Sequence, residues 1–153
     1  MAQPFQFSVI RAEWPRDEAA LRAVRSAVFI DEQRVPPELE WDGRDSACVH
    51  VLARDAAGAA IGTGRLLPEG KIGRMAVVRA TRGNGVGAAI LRALLAEARE
   101  RGFAEIELSA QTHALGFYER FGFVVASEEY PDAGIPHRTM RLRISVNSQG
   151  NAD

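Results

Sequence analysis

Met75-Ala-Val-Val-Arg-Ala-Thr-Arg-Gly-Asn-Gly-Val-Gly-Ala-Ala-Ile-Leu-Arg92 decides the fold of this chain. Its first four residues are apolar and strand-like, and from Val86 the apolar residues recur at helical spacing. Between the two, Gly83, Gly85 and Gly87 alternate with Asn84 and Val86. A turn so rich in glycine can enter left-handed backbone conformations and carries almost no bulk. It aims successive N–H groups into one concavity. The helix behind it, opening with Val86, Gly87 and Ala88, adds unpaired N–H groups and the positive end of its dipole. The stretch therefore reads as strand, anion-binding turn and helix, with phosphate or pyrophosphate as the expected anion. Arg79, Arg82 and Arg92 flank it, and the arginine fork suits phosphate oxygens.

Upstream, Phe5 to Glu13 reads as a strand, broken by Trp14-Pro15. Leu21, Val24, Val28 and Phe29 then recur at helical spacing from Asp17, fading near Asp31. Pro36-Pro37 and Asp42-Gly43 punctuate Arg34 to Asp45 as a loop. Cys48 to Arg54 and Ala60 to Leu67 read as strands joined by a turn at Asp55 to Gly58. Pro68-Glu69-Gly70 leads into a third, Ile72 to Val78. Downstream, Val86, Ile90, Leu91, Leu94, Leu95 and Ala98 make the apolar stripe of a helix that stops at Gly102. Phe103 to Ser109 follows so tightly that a parallel crossover is expected. Thr112 to Arg120 is a short helix, Phe123 to Glu128 and Arg138 to Ile144 are strands, and Tyr130 to Pro136 is the loop between them. The order β-α-β-β-β-α-β-α-β-β predicts a mixed α/β fold: one domain over residues 1–146, a central mixed sheet flanked by helices, and a small polar tail at 147–153.

A chain of 153 residues suits a single core. Its net charge of −1 lacks the basic excess of a general nucleic-acid binder. Cys48 is the only cysteine, so no intrachain disulfide can form. No run of 18 apolar residues and no basic-then-apolar leader is present; a cytoplasmic protein without a membrane span is expected. The three histidines lack close ligand spacing, so no metal site is expected. Oligomeric state stays open, a homodimer included.

Two familiar phosphate-binding patterns fail. In the dinucleotide fingerprint the third glycine would come one residue later than Gly87, and no lysine followed by Ser or Thr stands at the helix start. The stretch instead resembles the acyl-CoA signature of the GNAT acetyltransferases, carried by Arg82-x-x-Gly85-x-Gly87 after a hydrophobic strand. Ala114-x-x-Phe117-Tyr118-Glu119-Arg120-Phe121-Gly122-Phe123 resembles that superfamily's second marker. Val28-Phe29-Ile30-Asp31-Glu32-Gln33, with Asp42, Asp45 and His50, resembles the ElaA-like branch. So do Gln111 with His113, and Gly134-Ile135-Pro136-His137 with Met140.

The resemblance implies an N-acetyltransferase in which an amine attacks acetyl-CoA directly. It assigns the pyrophosphate to Arg82, Gly83, Asn84, Gly85, Val86, Gly87 and Ala88, and the pantetheine arm to the strand at Met75, Ala76 and Val77. A backbone N–H of that strand would polarise the thioester. Gln111 stands where the family often has a pantetheine-binding asparagine, and Tyr118 where it protonates the departing thiolate. The base is the open role: Glu32, His50, His113 and His137 are candidates, with His137 favoured because its loop could wall the acceptor pocket. Asp31, Glu32, Glu38, Glu40, Asp42 and Asp45 face only Arg34 and Arg44 within one segment. That acidity reads either as a field drawing a cationic amine or as a solvated loop. A non-catalytic acyl-CoA sensor and a nucleotide-binding module of another kind are the rival functions.

Overall fold

The computed structural model describes residues 4–144; the tail expected at 147–153 lies outside them. Among these residues eight strands form one sheet: β1 (Phe7–Ala12), β2 (Val49–Asp55), β3 (Ala60–Leu66), β4 (Lys71–Val77), β5 (Glu105–Gln111), β6 (Val124–Val125), β7 (Tyr130–Asp132) and β8 (Ile135–Arg143). Their order is β1-β2-β3-β4-β5-β8-β6, with β7 on β8. All neighbours are antiparallel except β4 and β5. The helices are α1 (Glu18–Arg25), α2 (Pro37–Glu40), α3 (Val86–Glu100) and α4 (Leu115–Glu119). This is the expected mixed α/β fold, with the expected crossover from β4 through α3 to β5.

α3 buries Val86, Ile90, Leu91, Leu94, Leu95 and Ala98 on the sheet. β3 makes room for it with glycine. A Cβ at Gly62 would lie 2.7 Å from Ile90 Cδ1, and one at Gly64 would lie 2.8 Å from Leu94 Cδ1. This close seat fixes where the turn leading into α3 can sit.

β4 carries a bulge. Thr63 pairs with Ala76 but Arg65 pairs with Gly73, so β4 takes three steps where β3 takes two. The extra residue falls at Arg74-Met75, and Arg74 has φ +51°. One inserted residue swaps the faces of everything after it. Ile72 belongs to the main core; beyond the bulge Met75 and Val77 pack against that core, while Ala76 joins Val24 and Val28.

Three expectations need correction. The loop expected at Tyr130 to Pro136 is a hairpin, with Pro131 opposite Pro136 and a two-residue turn in which Ala133 and Gly134 both have positive φ. Such a turn matches the strand twist, so two prolines and a glycine here mark a hairpin rather than a break. The strand expected from Phe123 to Glu128 keeps ladder pairing only at Val124 and Val125. The expected loop from Arg34 to Asp45 contains α2, opened by Pro37 in its first turn. The helix from Asp17 does reach its expected end, but Ser26–Glu32 is wound as a π-helix.

Candidate active site

β5 stays paired with β8 from Glu105 opposite Arg143 to Gln111 opposite His137, while β4 stays paired with β3 up to Val77 opposite Gly62. Between them β4 and β5 share only Lys71–Glu107 and Ile72–Leu108. Past Ile72 the two strands part, and the β5-facing edge of Gly73 to Val77 has no ladder partner among the described residues. A cleft of about 990 Å³ opens at this notch, lined by Met75, Ala76, Val77, Gln111, Tyr118 and His137 among others. An unpaired strand edge inside a cleft can hydrogen-bond an extended polar chain.

Tyr118 comes to the cleft from α4. Its ring packs edge-on to Phe117 at 5.0 Å and to Phe123 at 6.0 Å, and its hydroxyl lies 3.8 Å from Met75 Sδ. Burial pushes the phenol up to about 12, so it remains a proton-bearing donor at neutral pH.

The glycine turn adjoins the cleft beyond Arg82. Gly83 and Gly85 take φ of +84° and +83°, and a Cβ at either would meet nothing within 4 Å among the described residues. Gly85 caps α3 with no side-chain acceptor, and Ala89 N–H is bonded to the Gly85 carbonyl. The N–H groups of Val86, Gly87 and Ala88 precede that first helical bond. The Val86 side chain is buried, so only its main chain can serve a ligand. Asn84 Nδ2 donates to the Thr81 carbonyl at 2.9 Å, which commits that side chain to shaping the turn. Arg92 sits further along α3 with its guanidinium 5.9 Å from the Phe121 ring and does not line the cleft.

The base candidates separate. His137 is 8% exposed, lines the cleft, and its Nδ1 lies 2.6 Å from the Ile135 carbonyl. A carbonyl can only accept, so Nδ1 bears a proton, and in the neutral ring the lone pair is on Nε2. Glu32 also lines the cleft, but its carboxylate takes two bonds from Arg82, at 2.8 and 2.7 Å, and one from Arg79 at 3.2 Å. The Arg82 bonds, reinforced by Arg79, pull it down to about 2. A carboxylate held so low is a poor proton acceptor. His113 is exposed at the cleft wall. His50 is buried away from the cleft, stacked on Trp14 at 5.2 Å with Nε2 2.8 Å from the Asp45 carbonyl.

The sequence profile of the Acetyltransferase (GNAT) domain matches residues 16–144. The chain belongs to the GNAT acetyltransferase family. It is 40% identical over 121 residues to the Bacillus subtilis protein named "Uncharacterized N-acetyltransferase YjcF", covering 76% of this chain and 86% of the relative. Among solved structures it resembles Escherichia coli ElaA with a TM-score of 0.77 at 28% identity. It resembles an acyl-CoA N-acyltransferase from Pseudomonas aeruginosa with a TM-score of 0.76 at 31% identity. Each likeness covers 90% of this chain and 98% of the other.

In this GNAT domain Asp31 and Glu38 of the acidic segment are exposed, whereas Glu32, Glu40, Asp42 and Asp45 are paired with arginines. Arg25, 1% exposed, donates to Glu40 at 2.8 Å and to Asp45 at 2.6 Å. Arg65 bonds Asp45 at 2.8 Å and also clasps Asp42. Arg74 reaches Glu40 Oε2 at 3.1 Å and the Glu40 carbonyl at 3.0 Å. Three carboxylates thus meet three arginines from α1, β3 and β4. Burial alone would raise Asp42 and Asp45; the bonds from Arg65 and Arg25 override it and hold both low. For Glu40 burial wins, and its carboxyl is pushed up despite Arg74 and Arg25. Trp41 is half-buried beneath Arg22 and Arg25, whose guanidinium carbons lie 4.0 and 4.9 Å from its ring centre.

Two cleft residues had no role in the sequence reading. Arg74 was visible only as an arginine inside an otherwise apolar strand, and the bulge that gives it a task is a register property. Gln33 bonds Gln111 across the cleft at 2.9 Å; its partner lies 78 residues away in the chain, beyond any local pattern.

Proposed function

We propose that this domain transfers the acetyl group of acetyl-CoA to a primary amine by direct attack, without an acyl-enzyme. One arrangement carries the reading: the free edge of β4 at Met75, Ala76 and Val77, the Tyr118 phenol and the His137 imidazole all open on one cleft. The residues fit the cosubstrate. Arg82 and the main-chain N–H groups of Gly83, Asn84, Gly85, Val86, Gly87 and Ala88 hold the pyrophosphate. The Met75–Val77 edge pairs with the pantetheine amides, and Gln111 offers its carboxamide from the facing wall. A main-chain N–H of this bulged edge would polarise the thioester oxygen, a contribution of about 3 kcal/mol to the transition state.

Acetyl-CoA supplies the activated thioester; proton traffic belongs to the chain. Nε2 of His137 takes the proton of the attacking amine. The electron pair of the breaking C–S bond leaves on sulfur, where the Tyr118 hydroxyl donates to it. With its pKa raised to about 12, the phenol acts mainly as that hydrogen-bond donor.

Calorimetric titration with CoA, followed by a thiol-release assay over a panel of primary amines, tests this. CoA binding and turnover with at least one amine are expected. Tight CoA binding with no turnover on any amine would replace the reading by a sensor domain. Stronger thermal protection by ATP or NAD than by CoA would replace it by a nucleotide-binding module.

A further inference from the structure

Two adjacent side chains reach across the cleft in opposite directions. Glu32 closes the π-helix Ser26–Glu32 and takes both terminal nitrogens of Arg82, with Arg79 as a third donor. Gln33, the next residue, accepts through Oε1 from Nε2 of Gln111 at the end of β5. Arg82 has its Nε on the Val77 carbonyl at 2.8 Å, so with Glu32 in place its whole guanidinium fork is engaged. Arg82 and Gln111 stand on opposite walls of the notch, and one dipeptide holds the polar groups of both.

The backbone under this dipeptide is built for it. π-winding is uncommon and concentrates at functional sites. Here it lets Gln33 N–H reach the Val28 carbonyl at 3.0 Å, and Arg34 follows with φ +63°. Val28 is 3% exposed and packs with Ala76, which anchors the segment on β4 itself. The root is therefore fixed, whereas Glu32 and Gln33 are half-buried and can leave their partners by side-chain rotation alone.

A carboxylate in a forked contact with arginine occupies the geometry that a phosphate would take. We infer that Glu32 and Gln33 form a latch across the cleft, Glu32 standing in for a cofactor phosphate on Arg82 and Gln33 for a pantetheine amide on Gln111, and that the cofactor must displace both. This rests on the acyl-CoA reading of the cleft. In the latched state the arginines at the cleft mouth are neutralised, so the site attracts free inorganic anions less strongly than bare arginines would. A ligand that also supplies the pantetheine contacts opens both halves together, which favours the complete cofactor over its phosphate fragments.

The test is CoA binding by calorimetry to the wild type, Glu32→Gln and Gln33→Ala, at low and high salt, with melting curves to confirm folding. Glu32→Gln is isosteric and half-exposed. It should bind CoA about fivefold more tightly at low salt, the worth of one exposed ion pair. The gain should shrink at high salt, where screening already weakens the Glu32 contact. Gln33→Ala should tighten binding in a way that salt does not change. Unchanged or weaker CoA binding by folded Glu32→Gln overturns the latch, because Glu32 would then orient Arg82 for the ligand rather than compete with it. If the wild type and both variants all fail to bind CoA, the acyl-CoA reading itself falls. Binding by the variants alone would show the latch holding the wild type closed.

Discussion

The hydroxyl of Tyr118 lies 3.8 Å from the sulfur of Met75, across the notch where β4 has left β5. The contact joins the half-buried phenol of Tyr118 to the middle of the free strand edge Gly73 to Val77. Tyr118→Phe keeps the ring and its packing on Phe117 and Phe123 and removes only the donor. Turnover should fall about 100-fold, within the usual range for a positioned proton donor. CoA affinity should stay within about twofold, because the role proposed for the hydroxyl is at the departing sulfur. Thiol-release kinetics beside calorimetry check both.

The role proposed for His137 rests on one bond. The Ile135 carbonyl fixes the proton on Nδ1. His137→Gln can keep a donor toward that carbonyl but has no basic nitrogen, so turnover should drop about 100-fold with CoA binding intact. Higher pH should restore part of the rate, because more of the acceptor amine then arrives already deprotonated. A pH–rate profile of the variant with one steep rise toward the amine's own pKa is the expected signature.

Gly85→Val places a β-branched side chain at φ +83°. The left-handed strain costs about 2 kcal/mol, yet nothing stands within 4 Å of the new Cβ, so the fold survives. The branches rise beside the N–H groups that open α3, and CoA binding should be lost. Gly87→Val should act alike; its Cβ would sit 3.7 Å from Phe117 Cζ and 3.8 Å from Val77 Cγ2, where the extra methyls must push into the cleft wall. CoA affinity surviving both changes would remove the pyrophosphate from this turn.

Asp45→Asn strikes the buried network. Asp45 is the shared partner of Arg25 and Arg65, both at most 3% exposed. Leaving two buried guanidinium groups short of a charge should cost about 3 kcal/mol, or a fall of about 10 °C in melting temperature. Asp42 and Asp45 are held below the usual carboxylate range when folded. The stability they add is complete above about pH 4 and fades as pH falls below that, when the unfolded chain binds protons more readily. Acid melting of the wild type should therefore steepen below about pH 4, and Asp45→Asn should show a weaker slope there.

The fold was legible wherever periodicity or punctuation is local. The strands through β5 and the helix after the glycine turn follow from short patterns, and the family resemblance pointed to Tyr118 and Gln111. What stayed hidden depends on pairing. The prolines at 131 and 136 read as breakers until they face each other in a hairpin. The carboxylates at 40, 42 and 45 read as surface charge because their arginines come from α1, β3 and β4. Glu32 looked free to act as a base because Arg82, 50 residues on, is not a sequence neighbour.

Arg74 shows what such pairing does for the site. It holds φ +51°, uncommon for a residue with a Cβ, in the one-residue bulge that turns the β4 edge toward the cleft. Its side chain grips the Leu39 and Glu40 carbonyls and the Glu40 carboxylate, so the network holds the strained backbone in place. The two roles can be separated. Arg74→Ala loses the ion pairs and keeps the strain, whereas Arg74→Gly loses the same ion pairs and relaxes it. Both should be less stable than the wild type, with the glycine variant about 1 kcal/mol above the alanine variant in denaturant melts. Equal stabilities would mean that the left-handed bulge costs nothing. If the alanine variant alone loses turnover at full CoA occupancy, the bulge geometry rather than the arginine charge governs the chemistry at the thioester.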